Sequence, residues 1–115
     1  MKITRIAAGH RMSGAVAYGD TVYLAGHVVP DHTLGVQGQT AAILQRIDER
    51  LAAAGTDKSK LLSATVWLAD IATFEEMNAA WDAWVDQANP PARAAVEAKL
   101  ASPDYLVEIS VIAAR

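Results

Sequence analysis

The feature that most constrains this chain is a repeated change of period in its apolar residues. Over residues 38–54, Ile43, Leu44, Ile47 and Leu51 recur at steps of three and four, with Gln45, Arg46, Asp48, Glu49 and Arg50 filling the gaps. That is the stripe of an amphipathic helix with a charged back, and Gly55 supplies its stop. Over residues 61–69 the period falls to two. Leu62, Ala64, Val66 and Leu68 share one face, and Ser63, Thr65, Trp67 and Ala69 the other, as in a half-buried strand. The period then turns helical again, with Phe74, Met77, Trp81, Trp84 and Val85 on one face of a second helix. Thr73-Phe74-Glu75-Glu76 opens that helix as a capping box, and it ends before Asn89-Pro90-Pro91 because proline cannot continue the hydrogen-bond ladder. A helix-period pattern does not settle as a strand, nor the reverse, so both element types must coexist.

Extended segments flank this alternation. Residues 2–7 read as a short opening strand. Residues 15–18 and 21–28 are apolar, β-branched runs on either side of Gly19-Asp20, a two-residue turn signal. Pro30-Asp31-His32 opens a loop that runs to about Gly38. Residues 93–100 and 106–113 form two closing strands across the turn-like Ser102-Pro103-Asp104. The predicted order is β-β-β-α-β-α-β-β. At 115 residues, with no internal repeat or linker, this is one α+β domain spanning the chain.

Two helices cover only one face of a sheet. In the last strand Val107, Ile109 and Val111 form the core side, and Glu108, Ser110 and Ile112 the other. Ser63, Thr65, Trp67, Ser110 and Tyr23 therefore fall on the uncovered face. A sheet face in water normally carries Lys, Glu and Arg. This one is small and aromatic, which predicts burial against another subunit.

Composition removes whole classes of function. Hydrophobic residues at 52% against 20% charged give a chain able to bury a core. A net charge of −3, a pI near 5.5 and the lack of any Lys/Arg-rich run argue against a nucleic-acid partner. With no cysteine there is no disulfide, thiolate zinc site or Cys nucleophile. No segment reads as a secretory leader or membrane span, so a cytoplasmic protein without a membrane partner is expected.

Few residues remain to carry chemistry. His27 and His32 stand five apart around Pro30, His10 is remote, and no acidic cluster completes a ligand set, so no metal site is expected. No phosphate-loop, dinucleotide or nucleophile-elbow motif occurs. Pro91-Ala92-Arg93 and Glu108 are the exceptions. Arg93 follows a rigid Pro-Pro and shares strand parity with Ala95 and Glu97, opposite a core set of Val96, Ala98 and Leu100. Glu108 likewise points away from its strand's core set. On spacing alone the pair is either a surface or interface ion pair, or a pocket in which the guanidinium binds a small carboxylate and the carboxylate orders or deprotonates a water.

The chain resembles the reactive intermediate/imine deaminase family (Rid, or YjgF-like), from about Gly9 to Arg115. The matching pieces are Thr21-Val-Tyr-Leu-Ala-Gly-His27, Gln39-Thr40, Ala64-Thr-Val-Trp-Leu-Ala-Asp70, Asn78-Ala-Ala-Trp81, Pro91-Ala-Arg-Ala-Ala-Val-Glu97 and Val107 through Arg115. The resemblance implies a chorismate-mutase-like α+β fold built into a homotrimer, with sheets inside, helices outside and ligand sites in the clefts between subunits. It implies cofactor-free hydrolysis of 2-imino or 2-enamino acids to 2-oxo acids and ammonia. Arg93 matches the family's carboxylate-binding arginine and Glu108 its water-associated glutamate. The pocket would further use the backbone at Gly26 and Ala95, with Met12, at the family's tyrosine position, and Asn78, matching a frequently retained helix residue, as further substrate-binding residues. Three positions depart from the family pattern. Met12 stands where the deaminases carry tyrosine, Ala95 where they carry cysteine, and His27 where many carry glutamine. These mark a divergent subgroup. The runner-up reading is a non-catalytic trimer that binds small carboxylates as a sensor or scavenger. The endoribonuclease activity ascribed to some relatives sits badly with the acidic balance.

Overall fold

A computed structural model describes residues 1–115. Its first three strands, β1 (Ile3–Ile6), β2 (Ala15–Tyr18) and β3 (Thr21–Leu24), pair as an antiparallel meander. Gly19 takes φ +61°, a left-handed value that glycine adopts without steric cost, and so reverses the chain between β2 and β3. β3 stops at Leu24, short of the expected Val28, although His27 still makes a single antiparallel bridge to Ile109.

Helix α1 (Gly35–Ala53) begins earlier than expected. Asp31 accepts from the Thr33 amide at 3.1 Å, capping a 3-10 turn over His32–Leu34 that runs directly into the helix. At the other end Gly55 has φ +81°. Its amide donates to the Ala52 carbonyl at 3.0 Å and the Thr56 amide to the Leu51 carbonyl at 3.0 Å, the paired bonds of a Schellman stop. After α1 come β4 (Leu61–Leu68), α2 (Phe74–Trp84), β5 (Ala92–Glu97) and β6 (Val107–Ala114). The capping box expected at Thr73 is not formed. The Thr73 hydroxyl donates to the Asp70 carbonyl at 2.6 Å, and the Asp70 carboxylate accepts from the Ala72 amide at 2.9 Å, so a 3-10 turn (Ile71–Thr73) leads into α2 instead.

The six strands form one mixed sheet in the order β1-β2-β3-β6-β4-β5. Only β4 and β5 are parallel; the last strand slots between β3 and β4 and is antiparallel to both. The connection from β4 to β5 runs through α2, as a parallel pair requires. Both helices lie on one face of the sheet. Ile43, Leu44, Ile47 and Leu51 of α1 and Met77 and Trp81 of α2 join Val22, Val66, Leu68, Val107, Ile109 and Val111 in a single core. The alternation predicts Leu62 among them. The β4–β6 register slips between Leu61 and Ser63, so Leu61 is buried (6% exposed) and Leu62 turns outward (51%).

One polar side chain belongs to the core. Gln39 is fully buried, and its amide donates to the Asp31 and Asp104 carbonyls at 3.0 and 2.8 Å while its oxygen accepts from the Leu106 amide at 3.0 Å. It ties the loop before α1 and the loop before β6 to one helix, which sets where β6 enters the sheet. No helix is long and apolar enough to cross a membrane.

The uncovered face is as expected from the alternation. Register pairs Tyr23 with Ile112, Thr65 with Ser110 and Ala94, and Trp67 with Glu108 and Val96. Tyr23 and Val96 are each nearly half exposed. Across β3, β6, β4 and β5, Glu108 is the one ionised side chain that this register places on the face.

Candidate functional site

β5 is an edge strand, and Pro90-Pro91 fixes its entry, so Arg93 stands on stiff backbone at the rim of the sheet. Its face is not the expected one. Parallel pairing sets Arg93 beside Ala64 and Ala95 beside Val66, so both point to the helix side; Ala95 packs on the core and Val96 points the other way, 46% exposed. The reason lies in α2. Its aromatic residues accept the guanidinium, whose central carbon lies 5.7 Å from the Phe74 ring centre and 5.1 Å from that of Trp81, with Nη1 3.8 Å from the Met77 sulfur. Rings of this kind attract a cation without neutralising it. Arg93 forms no ion pair, since the chain's one salt bridge joins His32 to Asp104 at 3.0 Å. The guanidinium is oriented by its surroundings and left without an acid.

Glu108 lies on the opposite face. It pairs with Trp67 in the sheet and rests against the backbone of Gly26, where an added Cβ would stand 3.0 Å from the carboxylate carbon. Any larger residue at position 26 would push the carboxylate away, which is the physical reason for glycine there. Met12, 58% exposed, sits in the loop between β1 and β2, and that loop is tied to the end of β3 by the Ala25 amide donating to the Gly14 carbonyl at 3.0 Å. Asn78 lies on α2, next to the Met77 that touches Arg93, with its amide 3.5 Å from a Glu75 oxygen.

The expected residues therefore fall into two groups. Arg93, Ala95 and Asn78 belong to the β5 edge and α2. Glu108 and Gly26 belong to the other face around β3 and β6, and Met12 stands apart in the exposed β1–β2 loop. Within one chain the guanidinium and the carboxylate do not converge.

The cavities of the chain lie elsewhere. A cleft of about 590 Å³ at the carboxyl end of β5 is lined by Glu97, Lys99 and Tyr105 among others, and includes neither Arg93 nor Glu108. Glu97 ends β5, whereas Lys99 and Tyr105 come from the irregular segment between β5 and β6, where no strand or helix period singles them out. A smaller cavity of about 380 Å³ is lined by His27, Arg46, Glu49 and Arg50. The four-residue spacing of Arg46 and Arg50 is the signal that sequence reading passed over. His27 is held below the ordinary imidazole range chiefly by burial, opposed by its bond to the Ala25 carbonyl and reinforced by the charges of Arg50 and Arg46.

Comparison with known proteins places the chain as a whole in a family. Residues 2–115 match the family model described as endoribonuclease L-PSP. A RutC family protein of Haemophilus ducreyi is 47% identical over 112 residues, covering 97% of this chain and 96% of its own length. The Escherichia coli RutC family protein YoaB is 44% identical over 115 residues, 99% of each. A crystal structure of a YjgF family protein from Neisseria meningitidis superposes with a TM-score of 0.95 at 41% identity, covering 100% of this chain and 96% of that one.

Proposed function

The chain belongs to the YjgF/Rid family, and on that footing we propose that it hydrolyses 2-imino and 2-enamino acids to 2-oxo acids and ammonia, in clefts between the subunits of a homotrimer. The observation that carries this reading is the unpaired Arg93, oriented by Phe74, Met77 and Trp81 at an open sheet edge. A guanidinium so placed presents its fork to a carboxylate, the one group common to this substrate class. Glu108 stands on the other face of the same sheet, so a neighbouring chain must bring its own Glu108 to the Arg93 edge. The uncharged face around Tyr23, Thr65, Trp67 and Val96 suits such an interface.

The chemistry needs no more than these parts. Arg93 holds the substrate carboxylate. Glu108 takes a proton from water as the oxygen attacks the imine carbon, giving a carbinolamine. Proton transfer to nitrogen lets ammonia leave, the carbonyl forms, and the carboxylate is regenerated. An enamine enters by first taking a proton at its β-carbon. Imines hydrolyse unaided, so orientation with general acid–base help of about 10²–10⁴-fold suffices.

A non-catalytic carboxylate binder is the second reading, favoured by Met12 and Ala95, which offer a thioether and a methyl group but no hydroxyl or thiol donor. The ribonuclease named in the family model would need a track of phosphate contacts, which a chain of net charge −3 without a basic run does not offer. Release of 2-oxo acid from an enzymatically generated imine tests the proposal. Wild type should accelerate release, and Glu108→Gln should lower turnover by roughly 10²-fold with assembly and 2-oxo acid affinity kept. Tight 2-oxo acid binding with no turnover by wild type would establish the binder instead.

A further inference from the structure

We propose that the pocket of His27, Arg46 and Arg50 is a second ligand site, taking a small dianion of the phosphate class. The pocket is on the helix side of the sheet. His27 bridges Ile109, a core residue, so its ring points to α1, whereas the preceding Gly26 faces Glu108 on the opposite side. The site is thus separate from the Arg93 and Glu108 chemistry.

Three observations make it a built site. Arg46 and Arg50 are four apart on α1 and share one helix face. Arg46 Nη1 donates to the Val28 carbonyl at 3.3 Å, and the Arg50 guanidinium packs over Gly14, where a Cβ would stand 2.9 Å from its central carbon. Neither forms an ion pair. The imidazole is fixed, with Nδ1 2.8 Å from the Ala25 carbonyl, which leaves Nε2 free for a ligand. The cavity of about 380 Å³ is lined only by these three residues and Glu49, with no hydrophobic residue among them. Two guanidiniums and an imidazole exceed one carboxylate. Such a cavity repels apolar ligands and suits a hydrated oxyanion that the arginine forks can grip by two oxygens at once.

The groups facing His27 are Arg46, Glu49 and Arg50 from α1 and the Ala25 carbonyl from its own segment; Glu108 of the neighbouring strand is turned to the other face. A dianion bound among them must favour imidazolium, so ligand binding and proton uptake at His27 are linked. Inorganic phosphate and the phosphate group of a small ester share this chemistry.

The His27 imidazole resonances of the intact protein report the event directly. The titration is run with inorganic phosphate and, in a parallel arm, with glycerol phosphate, at ionic strength held constant by chloride. The expected result is a saturable shift with the His27 pKa raised by ligand. Arg46→Gln and Arg50→Gln should each weaken binding by about tenfold, the value of one charge-assisted hydrogen bond. Tighter binding of either probe assigns the source. A response equal to that of chloride, or unchanged affinity in the folded Arg46→Gln/Arg50→Gln variant, overturns the proposal. Should that variant fail to fold, His27→Gln followed at the arginine side-chain N–H resonances decides between the same two outcomes.

Discussion

The two faces of the sheet are built from the same strands and teach opposite lessons. On the helix side Val66, Leu68, Ile109 and Val111 are almost wholly buried against α1 and α2, and one chain completes that layer by itself. On the other side Tyr23, Thr65, Trp67, Val96 and Ser110 stand in register with a single carboxylate among them. That face has the composition of an interior and nothing in the chain to cover it. The proposed catalytic pair divides along the same line, with Arg93 on the covered side and Glu108 on the open one. One face makes the fold, and the other is the one on which the proposed function seats a second copy.

Substitutions can separate these roles. Leu68, with 0% exposure, should cost about 2–5 kcal/mol of folding stability as Leu68→Ala, through lost burial and a cavity. Val96→Asp on the open face should leave the fold of the single chain intact and weaken assembly, as light scattering across a dilution series would show. Equal losses of fold stability from the two changes would erase the distinction between the faces. A smaller effect is expected at the β5 edge. Arg93→Ala should cost carboxylate binding about 1.5–3 kcal/mol, with Arg93→Lys recovering little because an ammonium cannot make the bidentate contact. Calorimetric titration with a 2-oxo acid measures this, and wild-type affinity in the alanine variant would make Arg93 a packing residue of α2.

The smallest effect concerns His27, on the covered side. Its folded pKa lies below the ordinary value because of burial and of Arg50 and Arg46. The folded chain therefore binds this proton less readily than the unfolded chain. Stability falls as pH drops from above the ordinary imidazole range toward the lowered folded value. His27→Gln should flatten that part of the stability–pH curve, and an unchanged slope in denaturant melts would contradict the assignment.

Much of the fold is legible in the residues. The stripe of Ile43, Leu44, Ile47 and Leu51 is buried as its spacing requires, and the alternation of Val107, Ile109 and Val111 against Glu108, Ser110 and Ile112 gives the faces of the last strand. The reading fails where local pattern and tertiary context part. Leu62 reads as core until a register slip admits Leu61 in its place. Thr73 and Glu76 fit a capping box, but Asp70 organises the turn first. The β5 faces carry Ala94 and Ala95 with no contrast between them, and Val96 suggests a core side. The aromatic surface of α2, distant in sequence, reverses that by accepting the stem and charge of Arg93. Arg93 and Glu108 stand out in the sequence as candidates; their separation by the sheet depends on the register of β5 against β4, which periodicity does not encode.

The division of the site between chains has one direct test. Arg93→Ala and Glu108→Gln chains are purified separately, mixed in equal amounts, dissociated and reassembled, and imine hydrolysis is compared with that of each parent treated alike. If each cleft takes Arg93 from one chain and Glu108 from its neighbour, two inactive parents must yield an active mixture, with roughly a quarter of the clefts restored in a random cyclic assembly. Mixed oligomers that form and stay as inactive as their parents would mean that guanidinium and carboxylate do not act across an interface.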